Sequence, residues 1–288
     1  MTEGNNRMHG KIIVALALSA LVSACDAAPS TDTQARAATP AVNEPAQSQV
    51  RAAERVLEGV LKKDMAYVDL RNAVLAEGWL PLVDPLCEEN VGGEAAICSQ
   101  LAELESCSGD GRCLMRFAHG SDQSVLKVDA YGDYTKWPLS GAAAVLNVRG
   151  WEFSPAQGAT MVAQCPSQNF EDFLNAFAGD DGVQRDFTLP LVKVMQYRDA
   201  GEDYETYPSY VSAADYSGFR IDRGADGFHI VDSTGKADPM PTPLEIKPEA
   251  EGSYYVSYRY GMSEGNSYRF QHRRGCWYLA EDPDAPSP

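Results

Sequence analysis

Seven cysteines constrain this chain more than any other feature of its sequence. Cys25 stands alone at the end of an apolar run, and the other six lie between residues 87 and 276. No two cysteines are separated by two residues, a spacing at which zinc sites often pair their thiolates. The pattern is typical of disulfides formed in an oxidising compartment, so we expect disulfide bonds and no metal or other cofactor.

The charge of the chain argues against a nucleic-acid partner. There are 41 Asp and Glu against 24 Lys and Arg, a formal net charge of −17. A surface of that sign repels phosphate backbones and disfavours purely electrostatic attachment to anionic lipids. The length of 288 residues predicts one or two domains, and 44% hydrophobic residues suffice for an ordinary core.

Residues 1–24 have the layout of a signal peptide. Arg7 and Lys11 give a basic start, residues 12–22 form an apolar run, and small residues follow it. The run is shorter than the roughly 20 residues that span a bilayer. Residues 25–49 are rich in Ala, Pro, Thr, Ser and Gln, which predicts a flexible tether.

The segment Val22-Ser23-Ala24-Cys25 resembles the lipobox of bacterial lipoproteins. The resemblance implies cleavage before Cys25, a diacylglyceryl group on its sulfur and an acylated amino group, which together give stable membrane anchoring. We therefore expect an exported protein held on the bacterial cell envelope, facing the periplasm, on either the inner or the outer membrane. The alternative is an ordinary secretory signal that leaves Cys25 as a free thiol. If Cys25 carries the lipid instead, six cysteines remain, an even number that suits disulfide pairing.

Residues 50–155 predict a small cysteine-bearing α+β module. The stretch "YVDLRNAVLAEGWLPL" has apolar residues at helical spacing and stop signals at Gly78 and Pro81. "CSGDGRC" predicts a hairpin turn closed by a Cys107–Cys113 disulfide, which leaves Cys87–Cys98 as the second pair, although four cysteines allow three pairings. Alternating runs such as "RCLMRFAHG" predict strands.

Residues 160–282 predict a second α+β module. Phe170, Phe173, Leu174 and Phe177 form an apolar helical stripe, and many alternating segments separated by turns follow from Phe187 onward. Helices followed by a long series of strands predict an α+β fold with an antiparallel sheet.

Two segments, "FEDFLNAF" and "YRFQHRRGCWYL", resemble those of a family of secreted bacterial domains of unknown function. That family belongs to the nuclear-transport-factor-2-like (NTF2-like), cystatin-like superfamily. The resemblance covers roughly residues 165–282 and implies a curved antiparallel sheet wrapped around helices, forming a cone with a pocket. In such a fold Cys165, before the first helix, and Cys276, on the last strand, would be close, which implies a Cys165–Cys276 disulfide. The matching residues are Phe170, Phe173, Leu174, Phe177, Asp180, Gln184, Phe187, Pro190, Leu191, Phe270, Gly275, Trp277 and Leu279.

Candidate catalytic residues come from the same module. His272 and His229 lie in predicted strands, and Asp222 and Asp232 are the acids that could form a proton-transferring pair with them. His272 shares a strand face with Phe270 and would line the cone if that face is concave. The alternative for each histidine is a hydrogen-bonded, partly buried side chain without a role in chemistry.

Four tyrosines are candidate pocket walls. They are Tyr254, Tyr258, Tyr260 and Tyr268, and they cluster on two neighbouring predicted strands. The alternative is that they belong to the core and direct only their hydroxyl groups toward water.

The function expected from these features is binding without catalysis, of a small ligand or of another envelope protein. An isomerase, dehydratase or hydrolase that uses a His/acid pair in the cone is the alternative, and a structural component that dimerises through its open sheet face is a third. Convergence of the histidines and acids on an open cavity would favour the enzyme. A cone filled by aromatic side chains would argue against a ligand inside it.

Lipid attachment gives the first testable prediction. Labelled palmitate should enter the wild-type protein in a lipoprotein-processing host and should be absent from a Cys25→Ser variant, because the serine hydroxyl does not replace the thiol as lipid acceptor. A variant with Cys107→Ser and Cys113→Ser should still be labelled. Mass spectrometry that finds an unmodified Cys25 at the mature N-terminus would contradict the prediction.

Overall fold

The computed structural model describes residues 52, 54–92, 95–137, 145–158, 163–199, 204–260 and 264–284. The expected signal peptide and tether, with Cys25, lie outside these residues. The described residues belong to one compact unit of mixed α+β structure that is mostly sheet. The longest described helices have ten residues, too few to cross a lipid bilayer.

The first half of the chain folds as short helices packed on a five-stranded antiparallel sheet. The helices are α1 (Tyr67–Ala76), α2 (Cys87–Asn90) and α3 (Ala96–Gln100). The strands are β1 (Leu80–Pro81), β2 (Leu104–Cys107), β3 (Arg112–His119), β4 (Ser124–Gly132) and β5 (Leu146–Pro155). Their order is β1-β3-β4-β5, and β2 also pairs with β3. Just after α1, Gly78 has a φ of 81°, the left-handed conformation that suits glycine at a helix end.

The second half begins with helices and continues as strands. The helices are α4 (Phe170–Gly179) and α5 (Asp181–Asp186). The strands are β6 (Thr188–Asp199), β7 (Tyr204–Ser212), β8 (Ile221–Arg223), β9 (Phe228–Ile230), β10 (Glu245–Pro248), β11 (Tyr254–Tyr260), β12 (Glu264–Arg273) and β13 (Cys276–Asp282). Six of them form one sheet in the order β10-β11-β12-β13-β6-β7, and β8 pairs with β9 in a separate hairpin.

The six-stranded sheet is mixed, which corrects the expectation of an antiparallel one. Four of its pairs are antiparallel, but β13 lies parallel to β6, with Leu279 opposite Thr188 and Glu281 opposite Lys193. These two strands are joined through all the intervening elements, so no hairpin turn fixes their relative direction.

Each sheet has its own apolar core. Tyr67, Trp79 and Phe117 are among the fully buried side chains of the first, and Phe173 and Phe270 of the second. The two sheets also touch each other through a small apolar cluster that includes Leu82, Ala118 and Leu191. The exact module boundaries, 50–155 and 160–282, stay predictions.

Six cysteines lie in three pairs at disulfide distance. The S–S distances are 1.96 Å for Cys87–Cys98, 2.04 Å for Cys107–Cys113 and 2.04 Å for Cys165–Cys276. These pairs coincide with those that the sequence analysis expects. The third joins residues 111 positions apart, and closing so long a loop removes more entropy from the unfolded chain than closing a short one.

A buried carboxylate connects α1 to the segment that enters β2. Glu103 is fully buried, and its Oε1 accepts hydrogen bonds from the Tyr67 hydroxyl at 2.8 Å and from Arg71 Nε at 2.5 Å. A second guanidinium nitrogen of Arg71 donates to Oε2 at 3.3 Å. Burial and the neighbouring Glu103 charge raise the pKa of Tyr67, so its hydroxyl stays a donor.

We predict that Glu103→Gln lowers the free energy of unfolding by about 3 kcal/mol, because it leaves the Arg71 guanidinium without its counter-charge. Urea unfolding followed by circular dichroism measures the change. Glu205→Gln is the matched control, since the Arg198–Glu205 pair at 2.7 Å is on the surface and should contribute less than about 1 kcal/mol. Equal effects of the two substitutions would contradict the prediction.

Candidate functional site

His229 is held on both sides of its ring. It is buried on β9, where Nε2 lies 2.8 Å from Asp226 Oδ1 and Nδ1 lies 2.7 Å from the Asp238 carbonyl oxygen. Both partners are acceptors, which favours an imidazolium that donates from both nitrogens. The hydrogen bond to Asp226 is the main reason that the pKa of His229 is raised. The ring therefore ties the β8–β9 loop to the segment after β9 and has no nitrogen left for a substrate.

The other three candidates for proton transfer are not the groups bonded to this ring. His272 is exposed near the end of β12, with its ring 5.4 Å from that of Trp277. Asp222 is exposed on β8, opposite His229 in register. Asp232 uses one oxygen to accept from the Thr234 and Lys236 backbone N–H groups at 2.8 and 3.0 Å, an arrangement that shapes a turn. The His/acid pair of the sequence analysis is not assembled around one cavity.

Aromatic side chains fill the space between α4 and the sheet. The Phe170 ring stacks on that of Tyr254, with centroids 3.9 Å apart. The Phe177 ring meets that of Phe270 edge to face at 5.1 Å. Phe173 is fully buried among them. This is the filled interior that argues against a ligand bound inside a cone.

The four candidate tyrosines divide between core and surface. Tyr254 packs on Phe170, and Tyr268 is fully buried. Tyr258 is nearly buried, whereas Tyr260, two residues further along β11, is 45% exposed. Side chains alternate along a strand, so Tyr254, Tyr258 and Tyr260 share one face, and of these three only Tyr260, at the end of β11, is exposed.

A pocket of about 600 Å³ opens beside Tyr258 and Tyr260. We call it the rim pocket. Its polar groups include three carboxylates and one ammonium, from Asp232, Asp238, Glu264 and Lys236. Asp238 Oδ2 accepts a hydrogen bond from the Tyr260 hydroxyl at 2.9 Å, which orients the ring. The full lining is Ile230, Asp232, Lys236, Ala237, Asp238, Pro239, Tyr258, Tyr260, Glu264 and Gly265.

A buried polar cluster adjoins Tyr258. Its members are Asp282, Tyr216, Tyr268 and Asn266, and we call it the aspartate–tyrosine cluster. The Tyr216 hydroxyl donates to Asp282 Oδ2 at 2.9 Å, and the Tyr268 hydroxyl donates to the Gly218 carbonyl at 3.0 Å. The Asn266 amide in turn donates to the Tyr268 hydroxyl at 3.2 Å. The cluster connects β12 and β13 to the segment between β7 and β8.

Burial controls the protonation of this cluster. It raises the pKa of Asp282 to about 6, although hydrogen bonds from Tyr216 and Asn266 partly oppose the shift. It also raises the pKa values of Tyr216 and Tyr268, so both remain protonated donors. Only the aspartate therefore titrates near neutral pH.

The sequence analysis named Tyr268 but missed the other members of this cluster. Asp282 is the last residue of the strand segment "CWYLAED", and nothing in that segment's pattern marks the aspartate as buried. A register shift between Leu279 and Glu281 sets where the end of β13 lies, and such a shift has no signal in the sequence. Tyr216 comes from an irregular segment 66 residues before Asp282.

Comparison with known protein families gives no match, and comparison with curated proteins gives none either. Within the described ranges, no group of three or more His, Cys, Asp or Glu side chains is arranged to hold a metal ion. The site must therefore be interpreted from its own geometry and charge.

The raised pKa of Asp282 predicts a pH-dependent stability. The folded-state value of about 6 lies above the ordinary value of about 3.9. The contribution of this group to stability is therefore fully present below about pH 4 and is lost as the pH rises through about 6. Asp282→Asn should raise the free energy of unfolding by about 2 kcal/mol at pH 8 and should change it little at pH 4.

Urea unfolding of the wild type and the variant at the two pH values tests this prediction. Asp222→Asn is the matched control, because Asp222 is an exposed aspartate of the same module, and its effect should stay within about 0.5 kcal/mol at both pH values. A stability difference between Asp282→Asn and wild type that does not vary with pH would refute the assignment.

Proposed function

We propose that the chain is an exported, lipid-anchored envelope protein whose second module is an NTF2-like binding module. The module takes a positively charged group, carried by a small molecule or by a side chain of another envelope protein, into the rim pocket. The observation that carries the proposal is the combination of two tyrosine rings and three carboxylates around one opening of about 600 Å³.

Cysteine pairing supports the anchoring part of the proposal. Six of the seven cysteines are in disulfide pairs. Cys25 is then the one cysteine left over, and it stands where a lipobox needs its lipid acceptor. Disulfides persist in the oxidising compartments that face the cell envelope, so the pairing agrees with the periplasmic side of either membrane.

Topology supports the NTF2-like assignment. Two helices precede the sheet, and α4 packs its Phe170, Phe173 and Phe177 face against it. Cys165 and Cys276 join the entry of α4 to β13, as the resemblance implies. The filled interior argues against a ligand at the centre of such a cone, so the proposal puts the binding site at its rim.

Charge and aromatic character define the ligand. Tyrosine rings attract cations through their π faces, and carboxylates pair with ammonium or guanidinium groups. In the rim pocket, three carboxylates face one ammonium. The apolar members, including Ile230 and Pro239, suit a ligand that also has a short hydrocarbon part.

One observation favours a second candidate, a proton-transfer enzyme. Asp282 has a pKa of about 6, close to the pH at which a general acid or base works well. It would act in place of the histidines, with Tyr258 between it and the rim pocket. Turnover that disappears in Asp282→Asn while agmatine binding persists would support this candidate over simple binding.

The binding proposal is tested with agmatine, which has a guanidinium and an amine on a short chain. Calorimetric titration of the purified protein should detect agmatine, and 1-butanol, a neutral probe, should not bind. Tyr260→Leu and Glu264→Gln should each weaken binding by about two- to fivefold, since each removes one exposed cation contact. The double variant should weaken it by about tenfold.

Glu245→Gln is the matched control, because Glu245 is an exposed glutamate of the same sheet that already pairs with Lys247 at 2.8 Å. It should leave agmatine binding unchanged. Failure of the wild type to bind agmatine below about 10 mM would reject the proposal, and so would equal losses in Glu245→Gln and Glu264→Gln. Dimerisation without any ligand would instead favour the structural role.

A further inference from the structure

A second cleft lies between the two sheets, on the face of the six-stranded sheet opposite Phe270. It has a volume of about 260 Å³. β6 contributes Lys193, β7 contributes Tyr210, and β12 contributes Gln271 and Arg273. The turn between β3 and β4 closes the other side with Ser121 and Gln123. Because strand residues alternate between faces, this cleft is separate from the rim pocket.

The walls of the cleft are fixed in position. The Gln123 amide nitrogen donates to the Gly120 carbonyl at 2.8 Å, and its oxygen accepts from the Leu191 N–H at 2.9 Å, so one side chain ties the turn to β6. Gly120 lies so close to Tyr210 that a Cβ there would overlap with the tyrosine hydroxyl. The cleft is therefore formed before any ligand arrives, which lowers the entropic cost of binding.

Two cations and one carboxylate line the cleft, from Lys193, Arg273 and Glu281. Within the described part of the chain, Arg273 and Lys193 make no ion pair and their side chains no hydrogen bond, although Arg273 is half-buried. Glu281 lies opposite Lys193 in register, but its carboxylate is bonded to Arg269. Arg269 also pairs with Glu249 at 2.8 Å. Burial, and to a smaller degree Arg274, lowers the pKa of Arg273.

Such an arrangement is unusual in a chain with 17 more acidic than basic residues. Burying a charge costs free energy unless a partner compensates it. Acidic side chains are abundant here, and many of the described arginines do pair with them, among them Arg71, Arg112 and Arg116. An anionic ligand would supply Arg273 and Lys193 with the counter-charge that they lack among the described residues.

We propose that the cleft binds a small oxyanion of the phosphate class, either inorganic phosphate or the phosphate of a monoester. The Arg273 guanidinium and the Lys193 ammonium supply positive charge, and the hydroxyls of Ser121 and Tyr210 and the Gln271 amide supply neutral donors. Donors from several directions suit a tetrahedral anion with four oxygens, whereas a carboxylate is satisfied by one arginine. Gln123 is a positioning residue, since both ends of its amide are already bonded within the protein.

Calorimetric titration of the purified protein with inorganic phosphate tests the proposal, with acetate at equal ionic strength as the carboxylate probe. The wild type should bind phosphate and should bind acetate more weakly. Arg273→Gln and Lys193→Gln should each weaken phosphate binding by about tenfold or more. Arg259→Gln is the matched control, because Arg259 is an exposed arginine on β11 outside the cleft, and it should change binding less than about twofold.

The two sources of phosphate are separated by two further probes. Glycerol 3-phosphate that competes with inorganic phosphate indicates a soluble ligand. Binding to phosphatidic acid vesicles that is lost in Arg273→Gln indicates a lipid headgroup. If circular dichroism shows that either Arg273→Gln or Lys193→Gln fails to fold, the remaining variant still tests phosphate binding. Absence of phosphate binding below about 10 mM in the wild type, or unchanged binding in a folded Arg273→Gln or Lys193→Gln variant, would overturn the proposal.

Discussion

The disulfide between Cys165 and Cys276 joins the chain just before α4 to the first residue of β13. It fixes the helix that supplies Phe170, Phe173 and Phe177 over the strand that supplies Trp277 and Leu279. From that point β13 runs between β12 and β6 and ends at Asp282, inside the aspartate–tyrosine cluster. The position of the cluster, and of the rim pocket beside it, therefore depends on a covalent link at the other end of the same strand.

The rim pocket and the cleft on the opposite face of the six-stranded sheet differ in their charged lining. The rim pocket presents Asp232, Asp238, Glu264 and Lys236, whereas the cleft presents Lys193, Arg273 and Glu281. A period of two along each strand makes this separation possible, because neighbouring residues point to opposite sides. One sheet can therefore carry a mainly acidic opening on one face and a cleft with two cations on the other.

Sequence reasoning succeeded where local signals decide the structure. The helical spacing after Tyr67 and the glycine at position 78 predicted α1 and its end, and the apolar stripe from Phe170 predicted α4. It failed where distant segments decide. The prediction of an antiparallel sheet was wrong for β13, which pairs in parallel with β6. The burial of Asp282 depends on a shift in register that has no signal in the sequence. The histidines drew attention because histidine often titrates near neutral pH, but burial also brings the pKa of an aspartate, Asp282, to about 6.

The central place of β13 also affects the order in which the molecule can be completed. Because β6 and β7 precede residues 276–282 in the chain, the edge of β6 that β13 covers stays open while the intervening elements are made. An uncovered strand edge invites pairing with another chain. The open edge of β6 is therefore exposed to pairing with a neighbouring chain until β13 takes its place in the middle of the sheet.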